Sequence, residues 1–187
     1  MKRLLALLFI ALIASCKHSP LQTSLNSPLR DELLQMEADD QTARASVPKN
    51  PADIKALMAV DARHTSRMKE IVDTHGWPSY SIVGKDASSA AWLLVQHADS
   101  DPEFQRRILT LIEPLVKSGE VKASNYAYLW DRTHEPQRYG TQGRCVAKGH
   151  WEPLEIEAPS QLDTRRTSLG MPTMAEYVKA VSEICPG

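Results

Sequence analysis

The residues best suited to chemistry lie at the end of a strongly apolar segment, 90–99. Trp92, Gln96 and Asp99 are spaced by four and three positions, which places them on one face of a helix. His97 lies beside that face. Buried amide, imidazole and carboxylate groups need hydrogen-bond partners, which come either from the fold or from a ligand. The segment therefore predicts either a ligand site or a polar network that joins this helix to its neighbours.

A second polar group follows a later helical segment. Asp131 and Arg132 lie near the end of that segment, and a glutamine-rich loop with Tyr139 and Gln142 comes next. Loops on a rigid scaffold often carry functional residues. The alternative is an ion pair beside a solvated loop.

Two earlier helical segments interrupt their apolar faces with polar side chains. Asp40 and Arg44 continue the stripe of the first, with Gln41 beside it, and Asp61, His64 and Thr65 lie in the middle of the second. Such a gap indicates either a solvated section or a pocket. If these stripes converge with the later groups, they form a polar pocket inside a helical bundle, which is a common place for a ligand site.

Acid–base catalysis is one chemistry that these residues could perform. The candidate catalytic residues are His97, Asp131 and Arg132, because imidazole titrates near neutrality and a guanidinium can steady developing charge. The chain contains no G-x-S-x-G, H-E-x-x-H or glycine-rich phosphate motif. We therefore predict no cofactor and no metal site.

The pattern of apolar residues and helix caps predicts a mainly α fold. We expect a helical, bundle-like single domain with a small β-hairpin or loop-rich insertion near 139–157, turning at Lys148 and Gly149. Pro114 should kink or interrupt the fourth helix, and 159–170 should form a loop. The predicted helices span 28–45, 51–75, 89–98, 102–118, 123–134 and 172–184. Ser27, Asn50 and Ser88 are the expected caps of the first three, and Ile54, Leu57 and Met58 are expected to begin the inner face of the second.

The N-terminus has the anatomy of a secretory signal peptide. Lys2 and Arg3 precede the apolar run 4–14, which is too short to span a membrane. Cys16 then follows small residues, and this arrangement resembles the lipobox of bacterial lipoproteins. The alternative is an ordinary secretory signal with a chance cysteine.

The lipobox resemblance implies a location and a partner. Residues 1–15 would be removed, Cys16 would be acylated and bound to the lipid bilayer, and 16–27 would form a flexible tether to a domain at 28–187. Lys17, where an aspartate often retains lipoproteins at the inner membrane, favours the periplasmic face of the outer membrane in a Gram-negative cell.

Composition limits the remaining possibilities. The formal net charge is −1, which argues against nucleic acid as a partner. In an oxidising envelope compartment, Cys145 and Cys185 would most often pair as a disulfide. The alternative is two separate buried thiols.

Several motifs in order resemble a bacterial family known as domain of unknown function 6624. They are Asp40-Gln41-x-x-Arg44, Asp61 with His64, Gly76-Trp77-Pro78, Ala91-Trp92 with Gln96-His97-Ala98-Asp99, Tyr128-Leu129-x-Asp131-Arg132, and Gln137-x-Tyr139-Gly140-Thr141-Gln142. The resemblance covers about 29–177. It implies that these polar positions belong to one shared domain, which Arg165 and Arg166 could join, and it implies no activity. His64 departs from the asparagine expected in many members.

Three functions follow from these observations. The first is a membrane-tethered envelope protein with a polar pocket for a small or envelope-derived ligand. The second is a hydrolase-like enzyme that uses His97 or Asp131 as base. The third is a structural lipoprotein, or one that binds an envelope protein, whose polar network only specifies the fold. The predicted ligand-binding residues are Gln41, Arg44, Asp61, His64, Trp92, Gln96, Asp99, Tyr139 and Gln142.

Overall fold

A computed structural model describes residues 25–45 and 50–186 of the 187-residue chain. The predicted signal peptide, the predicted lipidation site Cys16 and most of the predicted tether lie outside the described residues. Within the described part, no helix is long and apolar enough to cross a membrane.

The described chain is mainly helical, which confirms the predicted fold class. Helices α1 to α5 come first, then the strands β1 and β2, a short 3-10 turn, and the helices α6 and α7. Their bounds are α1 Ser27–Arg44, α2 Pro51–His75, α3 Tyr80–Gln96, α4 Pro102–Lys117, α5 Ala123–Thr133, β1 Gly143–Ala147, β2 His150–Pro153, the 3-10 turn Pro159–Gln161, α6 Leu162–Ser168 and α7 Met174–Ser182. That 28–187 forms one domain stays a prediction.

Short polar side chains begin the long helices. The Asn50 side chain accepts hydrogen bonds from the backbone N–H of Ala52 and Asp53 at 2.9 and 3.1 Å, so α2 begins where the sequence predicts. Asp101 caps α4 through the N–H of Phe104 at 3.0 Å. For α1 the predicted cap, Ser27, is wrong: Asn26 supplies it, and Ser27 is already helical.

The third helix begins earlier than the sequence predicts. It starts at Tyr80 rather than near Ser89, and it changes direction at Gly84, whose φ is +84°. A Cβ at Gly84 would lie 2.8 Å from the Arg30 guanidinium, so the close approach of α1 also requires glycine there. The predicted cap, Ser88, is buried inside the helix.

Two further expectations are wrong for identifiable reasons. Residues 159–170 are not a loop, because they contain α6, whose inner face buries Leu162 and Arg166. The sequence did not predict this helix, because an arginine takes a position on the inner face where an apolar residue is expected. Pro114 does not interrupt α4, which continues to Lys117.

The core forms where α1 and α3 pack along each other and α2, α4 and α5 cover them. Its fully buried side chains include Leu33, Met68, Leu94, Ile108 and Leu129. The first three turns of α2 contribute nothing to it: Ile54 and Met58 were expected to face inward, and they are 50% and 55% exposed.

The predicted hairpin and disulfide are both present. Strands β1 and β2 pair antiparallel, with Cys145 opposite Trp151. Cys145 is bonded to Cys185, which follows α7. The C-terminal helix is thereby fastened to the hairpin.

Candidate functional site

A buried carboxylate, Asp40, is the centre of the polar cluster. It lies in the last turns of α1, and its side chain is only 1% exposed. The Arg44 Nε donates to Oδ1 at 3.1 Å, and the Gln41 amide donates to Oδ2 at 2.9 Å. The His97 Nδ1 lies 3.0 and 3.1 Å from the two oxygens.

His97 is the residue that ends α3 and turns toward α1. Its Nδ1 also lies 3.0 Å from the Arg44 Nε. Because a guanidinium keeps its protons, Nδ1 either accepts from Arg44 or donates to Asp40. We assign the proton to Nδ1, since this gives the buried carboxylate a further donor and leaves the lone pair on Nε2. Among the described residues, Nε2 has no hydrogen-bond partner.

Arg44 joins Asp40 to a second carboxylate, Asp61 of α2. Its terminal nitrogen forms an ion pair with the Asp61 side chain, which is 20% exposed. Burial raises the pKa of Asp61 above its usual range, although the charges of Arg44 and His97 act in the opposite direction. The carboxylate of Asp61 is therefore less stable in the fold than in water.

Asp61 and His97 open onto a cleft of about 260 Å³, which we call the His97 cleft. Hydroxyl groups and one ion pair, between Lys69 and Asp101, line the rest of it. Its lining residues are Asp61, Ala62, Thr65, Ser66, Lys69, His97, Ala98, Ser100 and Asp101. The cleft therefore offers polar groups beside the imidazole together with the apolar surface of Ala62 and Ala98.

Asp99 lies between Ala98 and Ser100, which line this cleft, and it pairs with Arg132, which lines a second one. Its side chain forms a two-point ion pair with Arg132, whose Nε donates to Oδ1 at 2.6 Å. Burial raises the pKa of Asp99, but the hydrogen bond and charge of Arg132 outweigh that effect and hold the pKa below its usual range. Asp99 is therefore a stable anion, unlike Asp61.

Arg132 lines the second cleft, which we call the Arg132 cleft. Its volume is about 310 Å³. Gln142 approaches Arg132 there, with its amide oxygen 3.5 Å from Nη1. The lining residues are Asp131, Arg132, Thr133, His134, Glu135, Gln137, Gln142, Leu154 and Glu155.

The candidate base Asp131 is occupied by the backbone of the loop that follows α5. Its carboxylate is buried and accepts from the N–H groups of Arg138, Tyr139 and Thr141 at 2.7, 2.9 and 2.8 Å. The Thr141 hydroxyl donates to it at 2.9 Å. These contacts give the carboxylate a clear structural task, namely to hold this loop in place.

Gln137 and Arg166, which the sequence placed among the family's polar positions but not among the candidate site residues, complete the loop. Gln137 is buried and donates to the carbonyls of Gln142 and Leu154 at 2.9 and 2.8 Å. Arg166 is buried too, and it donates to the carbonyl of Tyr139 at 2.6 Å. Arg165, the neighbouring residue of α6, donates to the carbonyl of Arg138 at 2.8 Å. Both arginines suggested by the family resemblance therefore contact this loop.

The remaining predicted residues lie away from the clefts or bury their polar atoms. The Trp92 indole donates to the carbonyl of Asn125 at 3.0 Å and packs between α3 and α5. Tyr139 belongs to a small apolar cluster with Ala127 and Met171. Nδ1 of His64 and Oε1 of Gln96 are buried without a partner among the described residues.

The sequence contained a signal for Asp40, the residue that the candidate list omitted. It continues the buried stripe of Leu29, Leu33 and Met36, at helical spacing. A carboxylate at a core position of a helix needs partners, and that requirement identifies it. The described residues contain no group of three His, Cys, Asp or Glu side chains that could hold a metal ion.

Comparison with known proteins identifies the family of this chain. The model of the family of unknown function DUF6624 matches residues 27–185, so the chain belongs to that family. No curated protein and no solved structure matches it.

Proposed function

We propose that this member of the DUF6624 family is a lipid-anchored protein of the bacterial cell envelope that binds a small polar ligand in the His97 cleft. The observation that carries the proposal is the cluster of Asp40, Arg44, Asp61 and His97 at the edge of that cleft. The Arg132 cleft lies beside it, behind the Asp99–Arg132 pair.

The state of two groups supports a ligand rather than a purely structural network. A polar network that serves only the fold is most stable when each of its groups has a hydrogen-bond partner within the protein. Here the Nε2 of His97 has no partner within the described chain, and burial raises the pKa of Asp61. Both groups line the cleft, where a ligand can reach them.

The envelope location is supported by two independent features. One is the apolar leader that ends at Cys16. The other is the bond between Cys145 and Cys185, since disulfides persist mainly in oxidising compartments.

Lipid anchoring is tested by expressing the full chain in a bacterium fed with labelled palmitate. We expect the label on the protein, which should fractionate with membranes. The matched variant Cys16→Ser should carry no label and leave the membrane fraction. Equal labelling of both proteins would contradict the proposal.

Ligand binding is tested by calorimetry with a defined panel of amino acids, short peptides, amino sugars and peptidoglycan fragments. We expect at least one member to bind, and Asp61→Asn and His97→Gln to weaken that binding at least tenfold. Asp73→Asn is the matched control, because Asp73 is an exposed carboxylate of the same helix, paired with Arg107. Binding that survives both cleft variants would place the ligand elsewhere.

A further inference from the structure

We propose that His97 is a general base, that Asp40 is its positioning residue, and that together they activate a water molecule to hydrolyse a carboxylic ester bound in the His97 cleft. This inference rests on the proposed ligand site. Asp131, the other candidate base, is not available for this role, because its carboxylate already accepts from three backbone N–H groups.

The orientation of the imidazole carries the first step of the argument. Both oxygens of Asp40 lie within 3.1 Å of Nδ1, and Asp40 is itself held by Arg44 and Gln41. A carboxylate placed this way fixes the ring and its tautomer, and directs the lone pair of Nε2 away from it. The His97 side chain is 20% exposed and lines the cleft, so water can reach the ring.

The surrounding charges favour a proton on Nε2 during reaction. Asp40 and Arg44 face the ring from α1, Asp61 acts on it from α2, and Asp99 acts on it from the segment after α3. Asp99 is neutralised by Arg132, which leaves Asp40 and Asp61 against the single charge of Arg44. An imidazolium formed at His97 would balance the remaining negative charge, and such stabilisation lowers a barrier.

The reaction requires water as its only co-reactant. The oxygen of water bonds to the ester carbonyl carbon while Nε2 takes one of its protons. The tetrahedral intermediate then breaks its bond to the leaving oxygen, which receives the proton from the imidazolium. The products are an acid and an alcohol, and His97 returns to its neutral form. Thr65, Ser66 and Lys69 line the same cleft and provide donors for the substrate.

The first test is hydrolysis of p-nitrophenyl acetate by the purified lipidated protein in detergent. We expect His97→Gln to lower kcat/KM at least tenfold. His150→Gln is the matched control, because His150 is an exposed histidine on the hairpin, and it should leave the rate unchanged. Imidazole added to His97→Ala should raise the rate above the rate that the same imidazole gives without protein, and this excess would not follow from a structural role. Equal rates for the wild type and His97→Gln would overturn the proposal.

The role of Asp40 is tested by the kinetic constants of its variant and by the tautomer. Asp40→Asn should lower kcat and leave KM nearly unchanged, because Asp40 orients His97 and does not touch the substrate. Nitrogen NMR of the wild type should show the proton on Nδ1, a measurement that does not depend on whether Asp40→Asn folds. A proton on Nε2 would overturn the assignment.

The panel titration separates this inference from the proposed function. If a ligand binds through Asp61 and His97 but the ester is not hydrolysed, the acid–base proposal fails and the binding proposal stands. If neither is observed, both fail.

Discussion

Asp61 shows how a site residue differs from a stabilising one. Its carboxylate pairs with Arg44, yet burial dominates and raises its pKa. A carboxyl group whose pKa is higher in the folded state stabilises the fold when protonated and opposes it when ionised. The free-energy cost of burying the ionised carboxylate is absent below the pKa that Asp61 has in the unfolded chain. It is complete above the raised pKa of the folded chain.

We therefore expect Asp61→Asn to melt above the wild type at pH 7, because the variant carries no charge to desolvate. Near pH 3 the difference should disappear, since the wild-type carboxyl group is then protonated as well. Scanning calorimetry across this range checks the sign. The control is Asp73→Asn, on the exposed side of α2, which should change little. A lower melting temperature for Asp61→Asn at pH 7 would mean that its ion pair stabilises the fold.

Asp131 should behave in the opposite way. Removing its carboxylate leaves the N–H groups of Tyr139 and Thr141 buried without an acceptor. Each such loss costs about 1–3 kcal/mol, so Asp131→Ala should lose roughly 3 kcal/mol or more. Urea unfolding measures the loss. Thr141→Val removes one donor to Asp131 and the acceptor of the Gln142 amide, and it should lose about 1 kcal/mol. A loss for Asp131→Ala no larger than that would contradict the assigned role.

The residues of the site were only partly predictable from the sequence. His97 and Asp61 were visible as polar groups on apolar faces. Their connection through Asp40 was not visible, because it depends on the packing of α1 against α3. Asp40 and His97 are 57 positions apart in the sequence. The partners of Asp131 are local, but a loop that wraps around one carboxylate has no periodic pattern to reveal it.

At the scale of elements, α2 consists of two unlike halves. Its C-terminal half buries Met68, Ile71 and Val72, whereas no residue of 51–60 is buried in the part of the chain that the structure describes. The first half therefore depends on its cap and its own helical hydrogen bonds. The site residue Asp61 lies where the two halves meet.

Two methionines of α2 give a direct test of this difference. We expect Met58→Ala to change the free energy of unfolding by less than about 0.5 kcal/mol, because that side chain is exposed. Met68→Ala should lose about 2–5 kcal/mol, because it leaves a cavity in the core. Denaturant titration compares the two. Similar losses would show that the first half of α2 is covered in solution.

Local chemistry decided which elements were predictable. Asn50 and Gly76 define both ends of α2, and its predicted bounds are confirmed. The start of α3 was missed because its first turn has no side-chain cap and is separated from the rest by Gly84. The hairpin was found because Gly149, in a turn with a φ of +69°, separates two short β-prone segments.

At the scale of the whole molecule, residues 143–186 are held by few buried side chains, namely Leu162, Arg166, Met171 and Cys185. Every residue of β1 is exposed, and none of α7 is buried within the described chain. Cys185 and the hairpin turn meet through the backbone as well, since the Gly149 N–H donates to the Cys185 carbonyl at 3.3 Å. The disulfide therefore joins β1 covalently to the residues after α7 in a region with few buried side chains.

We expect the double variant Cys145→Ser/Cys185→Ser to lose up to about 4 kcal/mol of unfolding free energy, because the bond closes a loop of 40 residues in the unfolded chain. Urea unfolding measures the loss, and limited proteolysis should show the first cuts in the hairpin or α7. Wild type treated with reductant should match the variant, which separates loss of the bond from an effect of the serines. If reductant changes neither stability nor cleavage, the fold does not depend on an oxidising compartment, and the disulfide would no longer support an envelope location.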